Sequence, residues 1–385
     1  MPAISVMLKP SSGLCNMSCD YCFYCDEMRN REQKTYGFMS EETLKNIIRR
    51  TILRAEGEVT YAYQGGEPTL SGLEFFEKAV YYQKKYNKHR IRVNNALQTN
   101  GYALTGEWCR FFKENQFLIG VSVDGTEEIH DACRHDKNGN GTYERILQGI
   151  RLLDQYQVDY NILTVVNRMV AAHIEEIYEL YQRRGWNYQQ YIPCLEPLGE
   201  EHGLKTYALS PEEYGIFLCR LFELWRHDLQ QGKQPYIRQL ENYIGILAGH
   251  PPEACDQRGN CSIQYVAEAD GSVYPCDFYM LDEYRLGNFN KDQLDAIDER
   301  RRSLHFIERS MKISEECIVC PHYKICRCGC QRNRDLEEQT GLYRNYLCEG
   351  YRIFFDQCGG RMAEIARKLT LPAELSRHSG TFLQK

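Results

Sequence analysis

Six short runs rich in β-branched and apolar residues recur along the first half of the chain, at 3–8, 59–63, 91–97, 117–123, 159–166 and 187–192. Segments with helical spacing of apolar positions separate them, among them SEETLKNIIRRTILRAE, GLEFFEKAVYYQKKY, TYERILQGIRLLDQY and AAHIEEIYELYQRR. A β-strand followed each time by a helix makes parallel pairing by right-handed crossovers the natural outcome. The fold class expected is therefore α/β, a partial (β/α)6 TIM-like barrel. Ser40 is a plausible N-cap of the first helix, although the following residues form only an imperfect capping box.

Parallel strands place all their C-terminal ends on one face, where such folds carry their chemistry. The stretches that follow the six runs are a cysteine loop, QGGEP (64–68), QTNG (98–101), SVDG (122–125), VN (166–167) and PCLEP (193–197). Taken singly, NG, DG and GG are ordinary turn dipeptides. Together they bring six polar or glycine-rich loops to one mouth.

Beyond Gly199 the pattern changes. GEEHGLKTYALSP reads as a linker, PEEYGIFLCRLFELWRHDL and YIRQLENYIGILAG as two helices, and SIQYVAEADGSVYPCDFY as a hairpin turning at Asp270-Gly271. Residues 255–348 hold nine of the eighteen cysteines. The end of the chain reads as one closing helix, a breaker and a mobile tail. The expected units are 1–230, a connecting helical segment 231–254, a cysteine-rich unit 255–350 and a C-terminal helix and tail 351–385.

A net charge of −6 offers no basic patch for nucleic acid. The N-terminus lacks the pattern of a secretory signal, and no window approaches the apolar length of a membrane span. A cytoplasmic protein is the expectation. In a reducing compartment eighteen cysteines argue for metal ligation rather than a disulfide framework. Isolated ones such as Cys109, Cys133, Cys194, Cys219 and Cys358 suit burial as small hydrophobes.

The clusters do not. Three thiolates at Cys15, Cys19 and Cys22 can hold an iron–sulfur cube and leave one iron open for substrate. This Cys-x3-Cys-x2-Cys loop after a first strand, with GGEP after the second, resembles the radical S-adenosylmethionine (SAM) enzymes. The resemblance implies that the open iron chelates S-adenosyl-L-methionine, that Gly65, Gly66 and Glu67 meet its amino group, and that Tyr21, Ser122, Arg134 and Leu195 complete its site. Downstream, Cys317-x2-Cys320-x5-Cys326-x3-Cys330-x17-Cys348, preceded by Cys255, Cys261 and Cys276, is similar to the SPASM auxiliary-cluster domain. It implies two further clusters, one on Cys255, Cys261, Cys276 and Cys330, the other on Cys317, Cys320, Cys326 and Cys348, giving three 4Fe-4S clusters in all. Cys25 and Cys328 read as bystander thiols, with Cys328 an alternative to Cys330.

FYCDEM, YAYQGGEPTLSGLEFFE, LQTNG, GVSVDGTEEIH and DGSVYPCDFYMLDEYRLGN narrow the match. They resemble the anaerobic sulfatase-maturating enzymes over nearly the whole chain, to about residue 360. The implied reaction is oxidation of a cysteine or serine of a sulfatase to Cα-formylglycine, begun by 5′-deoxyadenosyl radical abstraction of a hydrogen atom. Asp277, next to the expected ligand Cys276, is the expected general base, within reach of both the substrate thiol and an electron-accepting cluster. Tyr24 and Gln64 are candidate lining residues of the peptide pocket. The implied partners are a sulfatase polypeptide with a Cys/Ser-x-Pro/Ala-x-Arg motif and a flavodoxin or ferredoxin donor, with the enzyme itself a monomer. The alternatives are a maturase that crosslinks another peptide, although the cysteine loop at residue 15 leaves no room ahead of it for the recognition domain such enzymes often carry, and a noncatalytic zinc-binding module.

Overall fold

The computed structural model describes residues 3–370. All six expected strands form: β1 (Ile4–Leu8), β2 (Glu58–Tyr63), β3 (Arg92–Thr99), β4 (Phe117–Ser122), β5 (Tyr160–Val166) and β6 (Tyr188–Pro193). They pair in sequence order and all parallel. The alternation of inward residues accounts for this register. Val6, Val59, Tyr61, Tyr63, Ile119, Val121 and Ile162 are fully buried, and they meet Leu44, Ile47, Ile48, Phe76, Ile146 and Ile177 of the covering helices. Ser40 caps the first of those helices, Glu41–Ile52, its hydroxyl accepting from the Thr43 N–H at 3.1 Å.

The sheet does not stop at the barrel strands. A two-residue strand β7 (Tyr236–Ile237) extends it beyond β6, and the expected hairpin, β8 (Tyr265–Ala267) with β9 (Ser272–Tyr274), extends it at the other edge. β8 runs parallel to β1 with Val6 opposite Tyr265, and β10 (Gly287–Asn288) closes that side. The full order is β10-β9-β8-β1-β2-β3-β4-β5-β6-β7. The hairpin therefore carries the segment after Tyr274 back to the mouth of the barrel, where Cys276 and Asp277 follow. Gly271 turns it with φ +87°.

Helix Pro211–Gln230 starts with a full capping box between Ser210 and Glu213. It packs along the closing helix Cys348–Thr370 at a point where only glycine fits. A Cβ on Gly350 would lie 2.2 Å from the Pro211 carbonyl oxygen, and one on Gly215 would lie 2.8 Å from that of Gly350. The closing helix runs unbroken through Gly359 and Gly360, and the expected breaker and tail lie outside the described residues. No helix among the described residues is long and apolar enough to cross a membrane.

Candidate active site and cluster-binding cavities

The loop after β1 folds back beside the barrel mouth. Met17–Cys19 pairs antiparallel with Arg134–Asp136, setting Cys19 opposite Arg134. Cys22 occupies the N-cap of helix Phe23–Arg29. Cys15 Sγ accepts from the Met17 N–H at 3.3 Å and lies 3.7 Å from Asn100 Nδ2, at the end of β3. Burial pushes the Cys15 thiol up to about 11 and the Cys19 thiol up to about 12.

The GGEP loop meets this one across a very close contact. Gly66 has φ +51°, and a Cβ there would lie 2.1 Å from the Leu14 carbonyl oxygen. Gly65, with φ +91°, leaves space filled by the Lys9 side chain, whose Cδ would be 2.1 Å from a Cβ. The Glu67 carboxylate is fully buried and turned into its own loop. It accepts from Thr69 Oγ1 at 2.7 Å, Thr99 Oγ1 at 2.8 Å and the Asn100 N–H at 2.8 Å. The Glu67 side chain thereby ties the loop after β2 to the end of β3. Ser11 Oγ holds that backbone through the Gly65 and Glu67 carbonyls, at 3.2 and 3.0 Å.

A cavity of about 260 Å³ opens beside Cys19, Tyr21 and Cys22, bounded across by Leu195, Glu196 and Tyr207. Behind it stands a buried trio that the sequence did not reveal. Asp124 accepts from Arg134 Nε at 2.8 Å and Nη2 at 3.2 Å, from the Tyr21 hydroxyl, and from the Val165 N–H at 2.9 Å. Burial pushes the Asp124 carboxyl up, but Arg134 beside it outweighs that and holds it below the usual range. Arg134, expected in the cofactor site, is held bidentately by Asp124 and is only 5% exposed. Ser122 accepts from Gln98 Nε2 at 3.0 Å, at the β3 and β4 ends.

Leu195 also borders a second cavity of about 360 Å³, which Gln64, Asp277, Cys255, Cys261, Cys276 and Cys330 line. Cys255, Cys261, Cys276 and Cys330 thus line one space, although Cys255 and Cys330 are seventy-five positions apart in sequence. Asp277 is buried and held on both oxygens. Lys9 donates to Oδ1, while Tyr24 Oη at 2.9 Å and Gln64 Nε2 at 3.2 Å donate to Oδ2. The Lys9 ammonium sits 3.7 Å from the Tyr24 ring centroid. Lys9 itself is 1% exposed, and no motif in the sequence singled it out. Its signal was the lysine-proline pair at the C-terminal end of a buried strand, where a charge needs a partner. Glu27, also buried nearby, has its carboxyl pushed up to about 8 by burial, against the opposing pull of Lys9.

A third cavity, about 30 Å³, is ringed by Cys317, Cys320, Cys326 and Cys348, with Cys328 among them. Cys328 therefore faces this set and not the one holding Cys330. All eighteen cysteines are free thiols. Among the described residues no three His, Cys, Asp or Glu side chains converge on one point as ligands of a single ion do; the cysteines ring spaces. That donor chemistry fits iron–sulfur clusters, whose corners are held by separate thiolates. Burial also pushes Cys255 up to about 11 and Cys326 and Cys330 up to about 12. Such thiols give up their protons to a metal rather than to water.

The profile of the radical SAM superfamily matches residues 10–181, and that of the SPASM iron–sulfur cluster-binding domain matches residues 255–321. The chain is 40% identical to a cysteine-type anaerobic sulfatase-maturating enzyme of Clostridium novyi, over 96% of this chain and 99% of the relative. It is 32% identical to a serine-type enzyme of Bacteroides thetaiotaomicron, over 94% and 91%. The solved structure of native anSMEcpe with bound AdoMet and Cp18Cys peptide superimposes with a TM-score of 0.90 at 39% identity, covering 96% of this chain and all of the other. The chain is an enzyme of the radical SAM superfamily with a SPASM domain, and it belongs to the anaerobic sulfatase-maturating enzymes.

Proposed function

We propose that this enzyme oxidises a cysteine or serine side chain of a sulfatase polypeptide to Cα-formylglycine. The observation that carries the reading is Asp277, a carboxylate fixed from three sides in a cavity that it shares with four cysteines and, through Leu195, with the edge of the first cysteine site. When bound, the clusters and S-adenosyl-L-methionine supply one-electron chemistry, removing a hydrogen atom from the substrate Cβ and then a further electron.

The protein's own share is proton management and positioning. The Asp277 carboxylate takes the proton of the substrate thiol or hydroxyl, and the hydrogen bonds from Tyr24 and Gln64 to Oδ2 fix its orientation in the cavity. Lys9, bonded to the other oxygen, keeps the carboxylate from rotating. Leu195 lines both cavities and gives their meeting point an apolar wall. In this reading Cys15, Cys19 and Cys22 hold one cluster, and the Gly65–Glu67 loop, Tyr21, Ser122, Arg134 and Leu195 form the cofactor site. Cys255, Cys261, Cys276 and Cys330 hold the second cluster, and Cys317, Cys320, Cys326 and Cys348 the third. The segments 1–230, 231–254, 255–350 and 351–385 are its functional units. Its partners are a sulfatase motif of the Cys/Ser-x-Pro/Ala-x-Arg type and a flavodoxin or ferredoxin in the cytoplasm, with the enzyme acting as a monomer.

The test is anaerobic incubation of reduced, reconstituted protein with S-adenosyl-L-methionine and a Cys-x-Pro-x-Arg peptide, followed by mass spectrometry. Formylglycine in the parent and its loss in Asp277→Asn, with cofactor cleavage retained, is expected. Cleavage with an unchanged peptide in the parent would refute the substrate assignment.

A further inference from the structure

Arg238, Gln239, Gln257 and Gln331 each keep one buried side-chain nitrogen or oxygen that meets no hydrogen-bond partner in the protein, and all four residues line the cavity of Asp277. Buried polar atoms are nearly always paired, so four around one space mark it as built to receive a polar guest. Two of the four have neighbours that account for them. Arg238 reaches Glu253 through Nη2 at 3.3 Å. Gln331 stands beside Cys261, whose Sγ lies 3.8 Å from its Oε1 and whose thiolate, as a cluster ligand, accepts an amide N–H. Gln239 and Gln257 have no such neighbour.

The fold fixes which end of each amide is free. β7 pairs with β6 only at Tyr188 and Gln189, so beyond them that edge of β6 has no strand opposite. Gln239, in the first turn of helix Arg238–Leu247, takes the place of one. Its Oε1 accepts from the Tyr191 N–H at 3.3 Å, which leaves Nε2 as an unused donor. Gln257 ends the short turn Cys255–Gln257 and is 3% exposed. Its Nε2 donates to the Gln239 carbonyl oxygen at 3.5 Å, and a carbonyl can only accept, which leaves Oε1 as an unused acceptor. An iron–sulfur cluster cannot satisfy that oxygen, because its sulfurs accept hydrogen bonds and offer none. The cavity thus presents one donor and one acceptor on linked, uncharged side chains. The main chain of a peptide, with its C=O and N–H, is their complement.

We propose that Gln239 and Gln257 grip the backbone of the substrate polypeptide, Gln239 Nε2 donating to a substrate carbonyl and Gln257 Oε1 accepting from a substrate N–H. Neither side chain carries charge, so the grip orients the chain without reading the side chains at its variable positions. The inference rests on the reading of this cavity as the polypeptide site.

The experiment uses the full chain, reconstituted anaerobically and supplied with S-adenosyl-L-methionine. It reads Kd by fluorescence anisotropy for a labelled Cys-x-Pro-x-Arg peptide and for analogues in which each backbone N–H in turn is replaced by an ester oxygen. Gln239→Leu and Gln257→Leu should each bind the all-amide peptide about 2- to 12-fold more weakly than the parent, the range of one neutral hydrogen bond. One ester analogue should lose a similar factor with the parent and nothing further with Gln257→Leu, a coupling that a merely structural role for the glutamine does not produce. Equal losses for every analogue in the parent and in Gln257→Leu would overturn the proposal, and so would unchanged affinity in both leucine variants. Where Gln239→Leu fails to fold for want of a partner to the Tyr191 N–H, Gln239→Glu replaces it, since a carboxylate keeps the acceptor and removes the donor. Unaltered affinity in that variant would overturn the part given to Gln239. A parent without affinity for the all-amide peptide would remove the reading of the cavity as the polypeptide site, and the pair with it, whereas a missing coupling removes the pair alone.

Discussion

Replacing Lys9 by methionine keeps the length of the side chain and removes its charge, leaving Asp277 buried without its ion partner. Lys9 is 1% exposed and the Asp277 side chain 8%, so the pair is largely shielded from bulk water. Breaking a buried pair from one side costs about 3–5 kcal/mol, and a Coulomb interaction of about 4 kcal/mol at an effective dielectric of 20 gives the same scale. At about 2.1 cal/mol/K per residue, a chain of 385 residues unfolding as a unit loses about 0.8 kcal/mol of stability per degree near its midpoint. The expected drop in Tm is therefore about 4–6 °C, read by calorimetry on the reconstituted protein under anaerobic conditions. Lys9→Met/Asp277→Leu, which removes both charges, should recover most of the loss, since apolar replacement of a whole buried pair is often neutral. A drop under about 1 °C in the single variant, or a larger drop in the double, would refute the claim that the pair is buried and mutually dependent.

Two further perturbations probe neighbouring parts of the site. Glu27 is held protonated by burial, with its pKa raised from 4.5 to about 8. Between these values the folded state binds more protons than the unfolded one, so this group's contribution to stability is complete below about pH 4.5 and falls as pH rises to about 8. Glu27→Gln should flatten that part of the stability profile, and denaturation midpoints between pH 5 and 8 with the same slope in both proteins would count against it. Gly66→Ala would place a Cβ 2.1 Å from the Leu14 backbone oxygen at φ +51°. Because backbone cannot yield as a side chain can, the two loops must part, and the variant should bind less iron at the first cysteine site. Gly72→Ala is a control, since it too has positive φ but nothing within 4 Å of its Cβ; equal iron loss in both would assign the effect to φ alone.

Much of the architecture was legible because periodicity reports it. Alternating apolar residues at 117–123 and the helical spacing of TYERILQGIRLLDQY depend only on neighbours in the chain, and both became the elements expected. The cysteine spacings were equally local, since three thiols on one loop must end near one another. The fate of Glu67 and Arg134 was not legible. Each is a charged residue in or beside a loop, and whether it meets a cofactor or another side chain depends on Thr99, Asn100 and Asp124, which lie 32, 33 and 10 residues from their partners. Lys9 was missed for the same reason. Its partner is 268 residues distant and arrives only because β8 pairs with β1.

Sequence by itself thus determined which segments become strands and helices, that their loops gather at one mouth, and that the chain carries three groups of cysteines. These follow from local periodicity and chemistry. Tertiary structure decided which cysteines share a cavity, that Cys328 lines the cavity of Cys317 and not that of Cys330, and that Asp277 is gripped by Lys9, Tyr24 and Gln64. Those outcomes turn on the extension of the sheet past β1 and on the left-handed bend at Arg327–Gly329, where pairing across long sequence separations brings together groups that no local pattern encodes.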